Sequence, residues 1–326
     1  MSSGIVNVPV VWWSLEPDTI ARGYWDQALI EDVFSRAAWH PPGGYTYEHH
    51  VILDPSWKLP DADGAVFVVP TRHNLKFVSE LNGAMANYRW VVLIGTGDEE
   101  GLFPWHRISH SRRKVWGMHA PQGTITVDRH LGSGYSPGFP ELVAPYRLRS
   151  PGRLDVFFCG QDTHERRHQA ITAAREAAAS VMRLIRATSE FGAHDEGAPG
   201  GMPRMAYASV MADAKVAPCP SGPESPDSFR LYEALEAGVV PVADGATPNG
   251  PVPGYWDAVF GEPVPFPVLE DWKELAEHVA NVRAAWPVPA SRVAAWYQQW
   301  KRKLVYALDA DVTELSGMIP ERPEPD

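Results

Sequence analysis

Val216-Ala-Pro-Cys-Pro-Ser-Gly-Pro-Glu-Ser-Pro-Asp-Ser-Phe-Arg-Leu-Tyr-Glu-Ala-Leu-Glu-Ala-Gly-Val-Val-Pro-Val-Ala-Asp-Gly245 decides how the chain is built. Its first residues close a short apolar strand, and the proline- and serine-rich loop that follows leads into a helix. Ser225 has the chemistry of an N-cap, and Pro226 suits the first helical position. Gly238 stops the helix, and Val239 to Val242 is the run of a second strand. Within the helix Leu231, Ala234 and Leu235 form an apolar stripe, leaving Arg230 and Glu233 three apart on another face near the positive end. Unpaired backbone N–H groups beside a fixed guanidinium suit a diphosphate, and Glu233, one turn on, can accept hydrogen bonds from ribose hydroxyls.

Upstream, Ser150-Pro151-Gly152 is the most natural linker in the chain, and Leu154 to Phe158 behind it is an apolar strand. Arg166 and Arg167 follow that strand, where they either face a ligand or simply begin a helix expected over 166–188. Gly192 to Met202 is a glycine- and proline-rich excursion. Downstream of Gly245 a strand near Val264 to Val268 precedes two helices, the second carrying Val293, Trp296, Trp300, Leu304 and Leu308 at helical spacing.

The first half alternates in the same way. Ile5 to Trp13, Tyr45 to Leu53, Gly64 to Pro70 and Trp90 to Ile94 read as strands, with helices over Thr19 to Phe34 and Leu75 to Tyr88 and a further strand near Thr124 to Thr126. Ligands of such sheets bind beyond the carboxyl ends of the strands. That position singles out Glu16 and Asp18, Asp54, Arg72 and His73, and Asp98, Glu99 and Glu100. Three carboxylates repel phosphate but suit a base, so Asp98 and Glu99 are candidates for taking a proton from an acceptor hydroxyl, with His73 and Asp18 as rivals.

A chain of 326 residues is natural for two domains, and 44% apolar residues with 13 Trp fit globular cores. The expected division is 1–149 and 150–312, with a tail at 313–326. Residues 1–150 carry 13 Lys and Arg against 15 Asp and Glu, leaving 16 against 25 for the rest. This acidic balance argues against a general nucleic-acid binder, although Arg107, Arg112, Arg113 and Lys114 cluster between Trp105 and Trp116. Cys159 and Cys219 are too few for a disulfide framework and read as buried thiols. His49-His50, His106 with His110, and Asp61-Ala62-Asp63 lack the further ligands of a metal centre, so no metal is expected. With no signal-peptide pattern and no apolar run long enough to span a bilayer, a soluble, cytoplasmic protein is expected.

The stretch from Ser225 to Val242, with Tyr207, Ser209, Lys215 and Pro218-Cys219-Pro220 upstream, resembles the sugar-nucleotide signature of exostosin-like glycosyltransferases. Val156-Phe157-Phe158-Cys159-Gly160 followed by Arg166 and Arg167 is more faintly similar to the first strand and loop of the same domain. The resemblance covers roughly 154–245. It implies the GT-B fold, an α/β architecture of two facing Rossmann-like domains with parallel sheets, in which the C-terminal helix crosses back to the first domain; the stripe from Val293 to Leu308 equally fits an amphipathic helix packing on its own domain. It further implies a UDP-linked sugar as donor substrate, with no separate cofactor, held by Gly160, Arg166, Arg167, Pro220, Ser221, Ser225, Ser228, Phe229, Arg230 and Glu233. Transfer to a hydroxyl acceptor, inverting and metal-independent, is the activity expected. The acceptor is a saccharide, a small molecule or, given the basic segment at 105–116, a hydroxylated DNA base. An epimerase or phosphorylase on the same frame, or a nucleotide-sugar-binding module without turnover, are the alternative functions.

Overall fold

The computed structural model describes residues 6–14, 25–39, 45–71, 76–98, 101–118, 127–147, 152–177, 183–188 and 202–317. The chain forms two compact units, one of residues 1–132 with 299–326 and the other of residues 133–298. Residues 133–153, ahead of the first strand of the second unit, thus belong to that unit together with the segment after the expected linker.

The first unit contains β1 (Val6–Trp13), α1 (Trp25–Trp39), β2 (Tyr45–Ile52), β3 (Gly64–Pro70), α2 (Val78–Met85), β4 (Trp90–Thr96), β5 (Arg113–Met118) and β6 (Arg129–Leu131). All strands are parallel, in the order β2-β1-β3-β4-β5-β6. Every residue of β3 and β4 is buried, which explains why they read as continuous apolar runs instead of alternating ones. Val11, Trp13, Phe67 and Leu93 from the sheet pack with Leu81 and Met85 of α2 in one core. Full burial of each such side chain contributes about 1.5–3 kcal/mol.

The second unit contains α3 (Phe139–Arg147), β7 (Leu154–Gln161), α4 (Glu165–Ala177), β8 (Arg183–Thr188), α5 (Arg204–Ala212), β9 (Ala214–Cys219), α6 (Phe229–Ala237) and β10 (Val240–Asp244). A short hairpin of β11 (Ala246–Thr247) and β12 (Gly250–Pro251) follows, then α7 (Tyr255–Phe260), β13 (Val268–Leu269), α8 (Leu275–Ala285) and α9 (Val288–Ser316). The main sheet is again wholly parallel, in the order β13-β10-β9-β7-β8. Both sheets are therefore doubly wound in the same sense of order: the second strand pairs on one side of the first, and the third on the other. The long helix α9 begins in the second unit, and its residues from Gln299 onward belong to the first.

The helix expected over 166–188 ends at Ala177, and Arg183–Thr188 is instead a strand. The alanine-rich sequence favours helix locally, but six residues of β8 pair with Val156–Gln161 of β7, and that long-range pairing overrides propensity. β5 escaped the sequence reading because its polar start, Arg113-Lys114, hides the buried run behind it. The strand expected near Thr124 to Thr126 lies outside the described residues, as do Ser150, Pro151, residues 189–201 and the tail from 318. Among the described residues no helix is long and apolar enough to cross a membrane.

Candidate functional site

The order of the second sheet places its topological switch point between β7 and β9, where chain connections leave in opposite directions, the position at which sheets of this kind bind ligands beyond their carboxyl ends. The loop after β9 runs into α6 here. That helix starts later than the sequence suggested: Ser228, not Ser225, is the N-cap residue, with extended backbone at φ −157°, ψ 129°. The delay comes from Asp227. Its Oδ1 accepts from the backbone N–H of Ser228 at 2.7 Å, and Oδ2 accepts from the N–H of Ser133 at 3.0 Å and the Tyr232 hydroxyl at 3.1 Å. With Gly222 N–H donating to the Asp227 carbonyl at 3.1 Å, the proline-rich segment is folded back as a buried turn. Burial raises the Asp227 pKa to about 6 against the hydrogen bonds that lower it. Gly238 ends α6 in the left-handed conformation at φ 74°, as its position past the last periodic residue predicts.

Ser228 does not cap the helix with its side chain. Its hydroxyl is buried without a hydrogen-bond partner among the described residues, and the same is true of the hydroxyls of Ser221 and Ser225. Arg230 stands in the first turn of α6 and is only 2% exposed. Its Nε and Nη2 donate to the Cys159 carbonyl of β7 at 3.3 and 3.0 Å, and the guanidinium lies 4.5 Å from the centre of the Phe158 ring. Nη1 has no partner, and no carboxylate forms an ion pair with this side chain among the described residues. Gly160 makes the arrangement possible, because a Cβ there would run into the guanidinium. A buried cation with a spare donor is expensive unless a counter-charge meets it. Unpartnered donors in the first turn of a helix and in the loop that leads into it have the chemistry to meet the oxygens of a phosphate.

Glu233 lies one turn on, buried. Ser136 Oγ donates to its Oε1 at 2.8 Å and the Tyr207 hydroxyl to its Oε2 at 2.7 Å, while burial, outweighing these bonds and the charge of Arg230, raises its pKa. The segment Ser133 to Ser136 thus braces α6 through both Asp227 and Glu233. Sequence reading assigned no role to this segment or to Asp227. An acid one residue before a cap serine was its one available signal.

Arg166 is not free for a nucleotide. Its Nη2 pairs with Oδ1 of the buried Asp244, Nε reaches Oδ2 at 3.3 Å, and Nη1 donates to the Glu270 carbonyl at 2.9 Å. Asp244 also accepts from the backbone N–H of Ser221 at 3.1 Å and from Trp272 Nε1 at 3.2 Å, so Arg166 acts at one remove by fixing the serine loop. Arg167 Nε donates to the Ser221 carbonyl at 3.2 Å, and its Nη1 reaches Thr163 Oγ1 at 3.3 Å and Gln161 Oε1 at 3.4 Å. Both arginines also stand in the first turn of α4. Pro220 is buried in the same loop, and Phe229 is half-buried beside Arg230, with the guanidinium 5.7 Å from its ring centre.

In the first unit, Asp98 follows β4 as expected but is committed elsewhere. Oδ1 accepts from the N–H groups of Leu102 and Phe103 at 2.8 and 3.0 Å, and Oδ2 from Trp105 Nε1 at 2.9 Å. Bound in this way, the buried carboxylate fastens Leu102, Phe103 and Trp105 behind β4. Glu16, Asp18, Arg72, His73, Glu99 and Glu100 lie outside the described residues. In the basic cluster Lys114 pairs with Glu314 at 2.8 Å, and beside it buried Trp116 donates to Asp311 at 2.8 Å, a carboxylate that also holds Arg129. His49 accepts from Trp12 Nε1 at 2.8 Å, and His110 Nε2 lies 3.0 Å from the Tyr88 carbonyl. Among the described residues no three His, Cys, Asp or Glu side chains are grouped to hold a metal ion. Cys159 and Cys219 are buried and in no disulfide, the latter with its pKa pushed by burial up to about 12.

No protein-family model matches the sequence, and no curated protein matches it. Among solved structures, the chain is similar to that of Anabaena Alr3699/HepE in complex with UDP and glucose, over 96% of this chain and 100% of that one, at 13% identity and a TM-score of 0.49.

Proposed function

We propose that this protein is a glycosyltransferase that takes its sugar from a nucleoside diphosphate sugar, UDP-linked as the exostosin-like resemblance implies, and passes it to a hydroxyl acceptor. One observation carries the reading: the buried guanidinium of Arg230 keeps Nη1 unpartnered in the first turn of α6, and the loop leading into that helix carries the buried, unpartnered hydroxyls of Ser221, Ser225 and Ser228. In transfer, negative charge grows on the leaving diphosphate. Fixed donors aimed at that charge stabilise the transition state more than the ground state. Arg230 and the helix terminus supply positive charge without a divalent ion, so metal-independent transfer is part of the proposal, as is inversion at the anomeric carbon.

Mass spectrometry of products from a UDP-sugar incubated with a saccharide acceptor panel tests the function. New glycoside with inverted linkage, formed also in excess EDTA, is expected. Conversion of the sugar nucleotide alone into an isomer would instead reveal an epimerase, and no product with any acceptor would contradict a transferase. Loss of turnover in EDTA with recovery on adding manganese or magnesium would overturn metal independence alone.

A further inference from the structure

His164, between β7 and α4, faces the same serine loop, and its chemistry complements that of its neighbours. Its Nε2 lies 3.1 Å from the carbonyl oxygen of Ser221. A carbonyl can only accept, so Nε2 carries the proton, and the neutral ring keeps its lone pair on Nδ1. Nδ1 is buried and has no hydrogen-bond partner among the described residues. Burial, with the cations of Arg167 and Arg166, holds the ring's pKa below its ordinary value against the Ser221 carbonyl and the Asp244 carboxylate, which favours the neutral form. Ser221 joins this acceptor to the donor cluster, because its carbonyl orients the imidazole while its own hydroxyl is one of the unpartnered groups.

Phosphate oxygens satisfy Arg230 Nη1 and the serine hydroxyls, but the diphosphate of a nucleotide sugar, esterified at both ends, has no proton to offer an acceptor. A ligand that completes the site therefore brings a donor as well as an anion. We infer that His164 Nδ1 accepts a hydrogen bond from a hydroxyl of the bound nucleotide sugar, and so distinguishes that ligand from a bare polyphosphate. This inference rests on the nucleotide-sugar reading above, and no role was assigned to His164 from sequence.

The test is calorimetric titration of wild type and His164→Gln with pyrophosphate, with UDP, GDP and ADP, and with the corresponding glucose derivatives. Glutamine can keep a donor near the Nε2 position for the Ser221 carbonyl but has no acceptor at Nδ1. Affinity for the preferred sugar nucleotide is expected to fall about tenfold, the worth of one buried hydrogen bond, with pyrophosphate binding unchanged within about a factor of two. A matching loss for the free nucleotide places the hydroxyl on the ribose; a loss confined to the sugar nucleotide places it on the transferred sugar. Unchanged sugar-nucleotide affinity, or an equal loss for pyrophosphate, would overturn the inference and leave the proposed function standing. Wild type that binds none of the sugar nucleotides would overturn both. Should the glutamine variant not fold, the assigned 15N resonance of Nδ1 in the wild type decides: it should move on adding the sugar nucleotide and stay in place on adding pyrophosphate, and no movement with either would refute the contact.

Discussion

A methyl group at position 160 would occupy the place of the Arg230 guanidinium, so two residues seventy positions apart act as one unit. Gly160→Ala should displace Arg230 and weaken nucleotide binding nearly as far as removing the arginine does, while overpacking costs about 1–3 kcal/mol of stability. Binding titrations beside denaturant unfolding separate the two effects. Asp227 gives a pH signature. Its carboxyl titrates near 6 in the folded chain against an ordinary 3.8. A carboxyl whose folded pKa is raised stabilises most below its unfolded pKa, and that contribution is lost as pH rises through the folded value. The unfolding free energy of wild type, measured relative to Asp227→Asn, should therefore fall by roughly 2–3 kcal/mol between pH 4 and 6 and stay level above. A difference that is flat over this range would show that burial does not perturb Asp227.

The start of α6 is where element and ligand chemistry meet. A serine N-cap commonly contributes about 0.5–2 kcal/mol through its side chain, but Ser228 makes no such bond here. Ser228→Ala should leave the thermal midpoint almost unmoved while lowering nucleotide affinity about three- to tenfold. A large drop in stability with unchanged affinity would mean that the hydroxyl is an ordinary cap. This helix also marks how far sequence could be read. The buried strands were legible because a parallel strand covered on both faces has to be continuously apolar, as in Gly64 to Pro70. The α6 stop was legible because a glycine tolerates the left-handed conformation at Gly238. Its start was not, since Ser225-Pro226 and Ser228 both satisfy local capping rules and only the Asp227 bond to Ser133, far off in sequence, chooses between them. Likewise Arg230 could be picked as a candidate from its place in the helix, whereas the pairing of Arg166 with Asp244 and of Asp98 with its own loop depends on contacts that no local pattern encodes.

Over the whole molecule, two units wound in the same strand order are joined through α9, whose later turns belong to the first unit. There Tyr47 donates to Asp309 at 2.6 Å, and Asp311 binds both Trp116 and Arg129, so the last helix is part of that unit's framework. The donor chemistry proposed here is confined to the second unit. In the first, the equivalent switch point lies between β1 and β3, and Asp18 and His73, which follow those strands in sequence, are the residues to substitute when transfer is measured in place of binding. The central claim is that the α6 terminus holds the diphosphate of a sugar nucleotide. Its most direct test is calorimetric titration of wild type and Arg230→Ala with UDP-sugar. The account predicts saturable binding to wild type and a loss of about 2–4 kcal/mol in the variant, whose unfolding remains cooperative. Binding to Arg230→Ala with wild-type affinity would contradict it.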